Sequence, residues 1–263
     1  MELMRRAFRR LVGGYQSPIY GLAARTLNNA QLVRREGFGT ARHLSRLAAA
    51  PPGPPERLTL RALAHPILAR PGTDDVPTIV NTAMRGEYDQ HIPHDWRPKT
   101  MIDGGAYIGD TSACFATRYP QLEIVALEPQ ADNFVLATQN LAPYGSRVRL
   151  LANALAGTAG LLDFGGEQLG GSIGQTGAKV EAITVPQALA MLPGGRADLL
   201  KLDIEGAERD IMETRPGEWL PQVDLIIAEL HGPSITRDVV AILRKHGFGA
   251  RSFRSLTTFR RGW

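Results

Sequence analysis

The stretch Thr100-Met101-Ile102-Asp103-Gly104-Gly105-Ala106-Tyr107-Ile108-Gly109-Asp110 leads through a helical pattern to Leu122-Glu123-Ile124-Val125-Ala126-Leu127-Glu128-Pro129. A short apolar strand ends in an aspartate. A glycine turn opens a helix, and a second apolar strand ends in a glutamate. That order builds a nucleotide-type pocket at the carboxyl end of a parallel sheet. Pro129 stops the second strand, because it has no N–H to give to a ladder.

The ligand follows from the details of the turn. A dinucleotide fingerprint needs glycine at its first, third and sixth positions. Here Gly104 and Gly109 occupy the first and sixth, but Ala106 stands at the third. Asp103, just ahead of the turn, would repel a pyrophosphate and suits an ammonium instead. Gly104, Gly105 and Gly109 let the backbone approach a ligand closely. Glu128 lies 25 positions after Asp103, near the offset at which a strand-end acid accepts from ribose hydroxyls. Together these favour S-adenosylmethionine. Asn133, on the next helix, reads either as a neighbour of the adenosine or as an ordinary helix-surface amide.

A second constellation is Asp198-Leu199-Leu200-Lys201-Leu202-Asp203-Ile204-Glu205-Gly206-Ala207-Glu208. Its leucines read as a central parallel strand buried on both faces. Lys201, Asp203 and Glu205 alternate through it and so share one face. Charges on a buried strand are costly unless they pair or meet a ligand. Glu208 reads only as a helix-start residue favoured by the helix dipole. Glu229 and His231 end the next strand at the same sheet edge, where an imidazole can move a proton near neutral pH. Acids 203, 205 and 229 with His231 have the hard donors of a divalent-metal site. Their spacing matches no compact metal motif, so no metal is expected.

The 263 residues carry 43% hydrophobic side chains, enough for one large domain with an extension. Cys114 is the single cysteine, which excludes an internal disulfide and points to a reducing, cytoplasmic setting. No apolar run is long enough to span a membrane, and no secretory signal is evident. Net charge is +4, yet residues 1–50 alone hold nine Arg and two Glu, a balance of +7. The basic character therefore belongs to the arm and not to the body.

Residues 1–75 read as a basic helical extension closed by the linker Pro51-Pro52-Gly53-Pro54-Pro55, and residues 76–263 as the ligand-binding domain. The arm has three open uses: docking on the body, mediating homo-oligomers, or lying on an anionic surface. No nucleic-acid partner is expected. Tyr88 and His91, just before the first strand, are candidates for a lid over the pocket. From residue 100 strands are expected at 99–103, 123–127, 147–152, 198–203, 223–229 and 251–259, with helices between them. This predicts a parallel sheet with right-handed crossovers. Between residues 157 and 185 an inserted hairpin with a Gly-rich loop, Gly165 to Gly177, breaks the alternation.

These motifs, with Asn153-Ala154-Leu155-Ala156-Gly157 and Glu229-Leu230-His231, resemble the FkbM-type S-adenosylmethionine-dependent methyltransferases. The Lys-x-Asp-x-Glu-Gly segment is the most specific mark. The resemblance implies a Rossmann-like class I methyltransferase sheet, mostly parallel with an antiparallel last strand. It implies O-methylation of a hydroxyl on a sugar, glycan or natural-product-like acceptor. It carries Asp103, Gly105 and Glu128 over as cofactor contacts, with Gly104, Ala106, Gly109, Pro129, Asn133 and Asp203 around them and Asn153 or Ala154 near the adenine. Glu205, Asp203 and His231 are the candidate bases, in that order, and Lys201 either holds an acid ionised or steadies the acceptor. The alternative from another class is a non-catalytic scaffold or sensor that keeps the cofactor fold.

Overall fold

The computed structural model describes residues 30, 32–165, 172–173, 178–204 and 206–263. The basic arm before residue 30, most of the Gly165–Gly177 stretch and the candidate base Glu205 lie outside the described residues. In chain order the elements begin with α1 (Phe38–Ala49), β1 (Glu56–Leu58), β2 (Ile67–Ala69) and α2 (Asp75–Ile79), which runs into a π-helical turn at Val80–Met84. Then come β3 (Thr100–Gly104), α3 (Asp110–Arg118), β4 (Glu123–Leu127), α4 (Ala131–Leu141) and β5 (Val148–Leu151). The inserted piece comprises β6 (Ala154–Leu155), β7 (Gly160–Gly165), β8 (Ser172–Ile173) and β9 (Ala178–Ile183). The chain closes with α5 (Val185–Leu189), β10 (Ala197–Leu202), α6 (Glu208–Glu213), α7 (Pro216–Trp219), β11 (Val223–Glu229), α8 (Pro233–Lys245), β12 (Phe248–Phe253) and β13 (Leu256–Arg261).

Seven strands form the main sheet in the order β12-β13-β11-β10-β3-β4-β5. Pairing is parallel from β11 to β5, whereas β13 runs antiparallel to both neighbours. The strand order reverses between β3 and β10, and an open α/β sheet binds ligands at the carboxyl ends beside such a reversal. The expected single strand over 251–259 is instead a tight hairpin, with Arg254 at φ 58° in its turn. Alternation of Thr, Phe and Arg gave no internal break there, since the turn uses neither Gly nor Pro.

Burial follows the strand period. Leu225 and Ile227 of β11 join one apolar layer, and Ile226 and Ala228 join the other. The first layer also takes Ala41, Leu44 and Leu47 from α1 and Leu58 and Ile67 from the β1–β2 pair. The residues just after the Pro-rich linker are therefore built into the main core. The last turn of α1 carries Arg46, which suits the negative end of the helix dipole. The inserted strands form a separate sheet, β6-β9-β7-β8. Among the described residues no helix is long and apolar enough to cross a membrane.

Candidate cofactor and acceptor site

The glycine turn hangs on the end of β4. The N–H groups of Gly105 and Ala106 both donate to the Leu127 carbonyl, at 3.1 and 2.9 Å. Gly105 has φ +78°, and a Cβ there would lie 1.9 Å from the Asp203 carbonyl oxygen. Only glycine allows this turn to rest on the end of β10. Gly109, at φ 83°, precedes α3. Glu128 accepts from the N–H of Tyr107 at 2.8 Å and of Gln130 at 2.9 Å. Burial pushes its carboxyl up to about 7, against those two hydrogen bonds. Each carboxylate oxygen keeps a lone-pair direction for a further donor.

Beneath the turn sits a buried ion pair. Asp103 and Lys201 face each other across β3 and β10, with Nζ 3.2 Å from Oδ1. Ser112 donates to Asp103 Oδ2 at 2.6 Å. Lys201 also donates to the carbonyls of Gly105 at 2.6 Å and Gly104 at 3.3 Å. Burial disfavours its charge, but Asp103, Tyr88 and Asp203 together outweigh burial and raise its pKa. Lys201 lies 3.9 Å from Asp203. Of its two expected uses, the structure brings it to an acid and to the turn.

Sequence reading missed a third group. Arg70 forks onto Asp75 at 2.9 and 2.8 Å, and Tyr107 Oη donates to Asp75 Oδ1 at 2.6 Å. The same guanidinium donates to Asn133 Oδ1 at 2.8 Å, and Asn133 donates to Gln130 Oε1 at 3.0 Å. Asp75 is fully buried; burial opposes its charge, yet the bonds from Arg70 and Tyr107 hold its pKa low. This clamp fixes Tyr107, which sits at φ 52° inside the turn. Nothing local to Arg70-Pro71-Gly72 or Asp75 signals residue 107; the contact exists only once α2 docks on the turn.

At the ends of β10 and β11, donor atoms of Asp203, Glu229 and His231 all lie within 4.8 Å of one another. That span suits a hydrogen-bonded cluster and equally a shared ion. His231 Nδ1 lies 3.0 Å from Glu208 Oε1. Glu208 is fully buried at the start of α6, where its Oε1 also accepts long bonds from Ile204 and Gly206. Glu208 is thus a helix-start residue and a partner of His231, a role its sequence position did not show. Burial, then the charges of Glu229 and Asp203, raises the pKa of Glu87.

Residues 103–249 match the methyltransferase FkbM domain. The chain belongs to the FkbM methyltransferase family. S-adenosylmethionine is the methyl donor of such enzymes. No curated protein matches the chain. Among solved structures, it is similar to precorrin-6y C5,15-methyltransferase from Geobacter metallireducens GS-15 at 16% identity and TM-score 0.45, covering 68% of this chain and 88% of that one. A putative O-methyltransferase from Klebsiella pneumoniae is similar at 15% identity and TM-score 0.41, covering 70% and 90%. A putative caffeoyl-CoA O-methyltransferase from Staphylococcus aureus is similar at 14% and TM-score 0.39, covering 69% and 91%.

The residues of this FkbM methyltransferase fit its cofactor. Glu128 closes β4 with acceptor capacity for a diol, and Asp103 is fully buried beneath the turn, held by Lys201 and Ser112. Asn133 is buried with its amide held by Arg70 and Gln130. Asn153 donates to the Glu181 carbonyl at 3.2 Å, and Ala154 is buried in β6. Of the two lid candidates, Tyr88 packs edge-on against Phe115, with Lys201 and Asp203 near its hydroxyl. His91 turns toward the C-terminal hairpin, with Nδ1 2.5 Å from Thr258 Oγ1. The FkbM match excludes Arg70 and Asp75, so the clamp on Tyr107 belongs to the segment before it.

Proposed function

We propose that the chain O-methylates a hydroxyl on a sugar, glycan or natural-product-like acceptor. The observation that carries this reading is the cluster of Asp203, Glu229 and His231 beside the glycine turn, with His231 bonded to buried Glu208. An alcohol is a poor nucleophile while protonated, so a base at the acceptor side matters. Bound at the turn, the cofactor supplies an electrophilic methyl on a sulfonium. Glu208 takes the Nδ1 proton of His231 in a hydrogen bond, which leaves Nε2 as the basic nitrogen. His231 would then accept the acceptor hydroxyl's proton as the oxygen takes the methyl, with the methyl–sulfur bond breaking and S-adenosylhomocysteine as the leaving group. Asp203 and Glu229 stabilise the imidazolium that results. Glu205, first in order by sequence, is the competing base in this proposal. Much of the acceleration comes from holding the two reactants in line.

The test separates these roles. Transfer of labelled methyl is followed with His231→Ala, Glu208→Gln and Glu205→Gln, while S-adenosylhomocysteine binding is measured by titration. His231→Ala should lower turnover by about 10²–10⁴-fold with cofactor binding kept. Near-wild-type turnover in His231→Ala, together with a collapse in Glu205→Gln, would move the base to Glu205. Binding of the cofactor with no transfer to any hydroxyl panel would favour the scaffold reading.

A further inference from the structure

Segment 87–93 joins two places. At its start, Glu87 and Tyr88 lie near Lys201 and Asp203. At its end, residues 90–93 close a cavity of about 250 Å³ against the C-terminal hairpin. Its functional lining is His91, Arg251, Phe253, Thr258, Arg260 and Trp263. His91 is only 3% exposed, and its Nε2 is buried with no hydrogen-bond partner. Burial lowers the imidazole's pKa, against a hydrogen bond to the Phe253 backbone. Nδ1 lies 2.5 Å from Thr258 Oγ1, which holds the ring against the hairpin. Neither Arg251 nor Arg260 has a carboxylate partner among the described residues. Arg251 instead lies over the Trp263 ring, 4.3 Å from its centroid.

Two guanidiniums around one small cavity match a dianion, and the guanidinium fork matches phosphate oxygens. The volume is below the roughly 300–1,000 Å³ of sites that enclose a whole small molecule. It therefore suits one group of a larger ligand. Register places that group within reach of the chemistry. Asp103, Lys201, Ile227 and Thr258 are successive partners across the sheet, so their side chains share one face. Thr258 is two strands from Lys201, about 10 Å at the usual strand spacing. We infer that this cavity binds a phosphate group carried by the methyl acceptor, with Arg251 and Arg260 neutralising it. The phosphate site stands on the cavity alone; its assignment to the acceptor rests on the methyl-transfer reading.

Calorimetric titration of the full chain with inorganic phosphate, glucose 1-phosphate and acetate tests the site. Phosphate and its sugar ester should bind one to one, and acetate should not compete. Arg251→Gln with Arg260→Gln should weaken phosphate binding about tenfold or more, equivalent to ~1.4 kcal/mol, with S-adenosylhomocysteine affinity and melting temperature unchanged. Equal phosphate binding by wild type and the double variant overturns the site. So does wild-type binding weaker than about 10 mM, or acetate binding as well as phosphate. Methyl transfer to phosphorylated hydroxyl compounds no faster than to their unphosphorylated twins overturns the assignment to the acceptor. Failure to bind S-adenosylhomocysteine sinks the methyl-transfer reading and leaves the phosphate titration to be judged separately.

Discussion

Lys201 carries its charge in the middle of the sheet, and Asp103, the two turn carbonyls and Ser112 on the far side of the carboxylate make that tolerable. Removing one partner leaves the other as an uncompensated buried charge. Lys201→Met should therefore cost about 3–5 kcal/mol in urea unfolding, and adding Asp103→Asn should recover part of it. Asp110 behaves differently. Burial pushes its carboxyl up to about 7, although a bond with Thr82 opposes the rise. A raised acid stabilises the folded state fully below its unfolded pKa and loses that contribution as pH climbs through the folded value. A difference of one pH unit between the folded and unfolded titration points corresponds to about 1.4 kcal/mol. The melting temperature of the ligand-free protein should fall between about pH 5 and pH 7, and Asp110→Asn should flatten the fall. An unchanged slope would assign it to Glu128, whose carboxyl also sits at about 7.

The β3 turn and α3 act as one element with the end of β10. Gly105→Ala places a Cβ into the Asp203 carbonyl at a positive φ, so the turn must shift or open. S-adenosylhomocysteine affinity should fall by at least about tenfold, or ~1.4 kcal/mol, by titration, whereas Ala106→Gly should be far milder. The turn was legible because Asp-Gly-Gly demands a special backbone. The Arg70–Asp75–Tyr107 clamp was not legible, because a buried ion pair between distant segments leaves no local period. Glu208 lies between these cases: its place in the Lys-x-Asp-x-Glu-Gly-x-x run was visible, but its bond to His231 depends on where β11 ends.

Across the whole molecule, the segment before the FkbM match is part of the same core. Leu44 and Leu47 of α1 are buried in the layer that holds Met101, Leu199 and Ile227. Leu47→Ala should cost about 2–5 kcal/mol and shift a single unfolding transition monitored by tryptophan fluorescence and circular dichroism together. Two separated transitions would show α1 folding as an independent unit.

By itself the sequence determined the alternating strands and helices of the parallel part of the sheet, the glycine turn, the strand-end acids and the family. These are local or periodic signals, and each needs only its own neighbours to be read. The tertiary structure alone decided that Lys201 serves Asp103, that Glu208 holds His231, that Asp75 reaches Tyr107, and that His91 lines a cavity with two arginines. Those pairings join residues 23 to 167 positions apart. Their distances are set by how seven strands stack in register and what packs over them, which the spacing of residues along a chain does not encode.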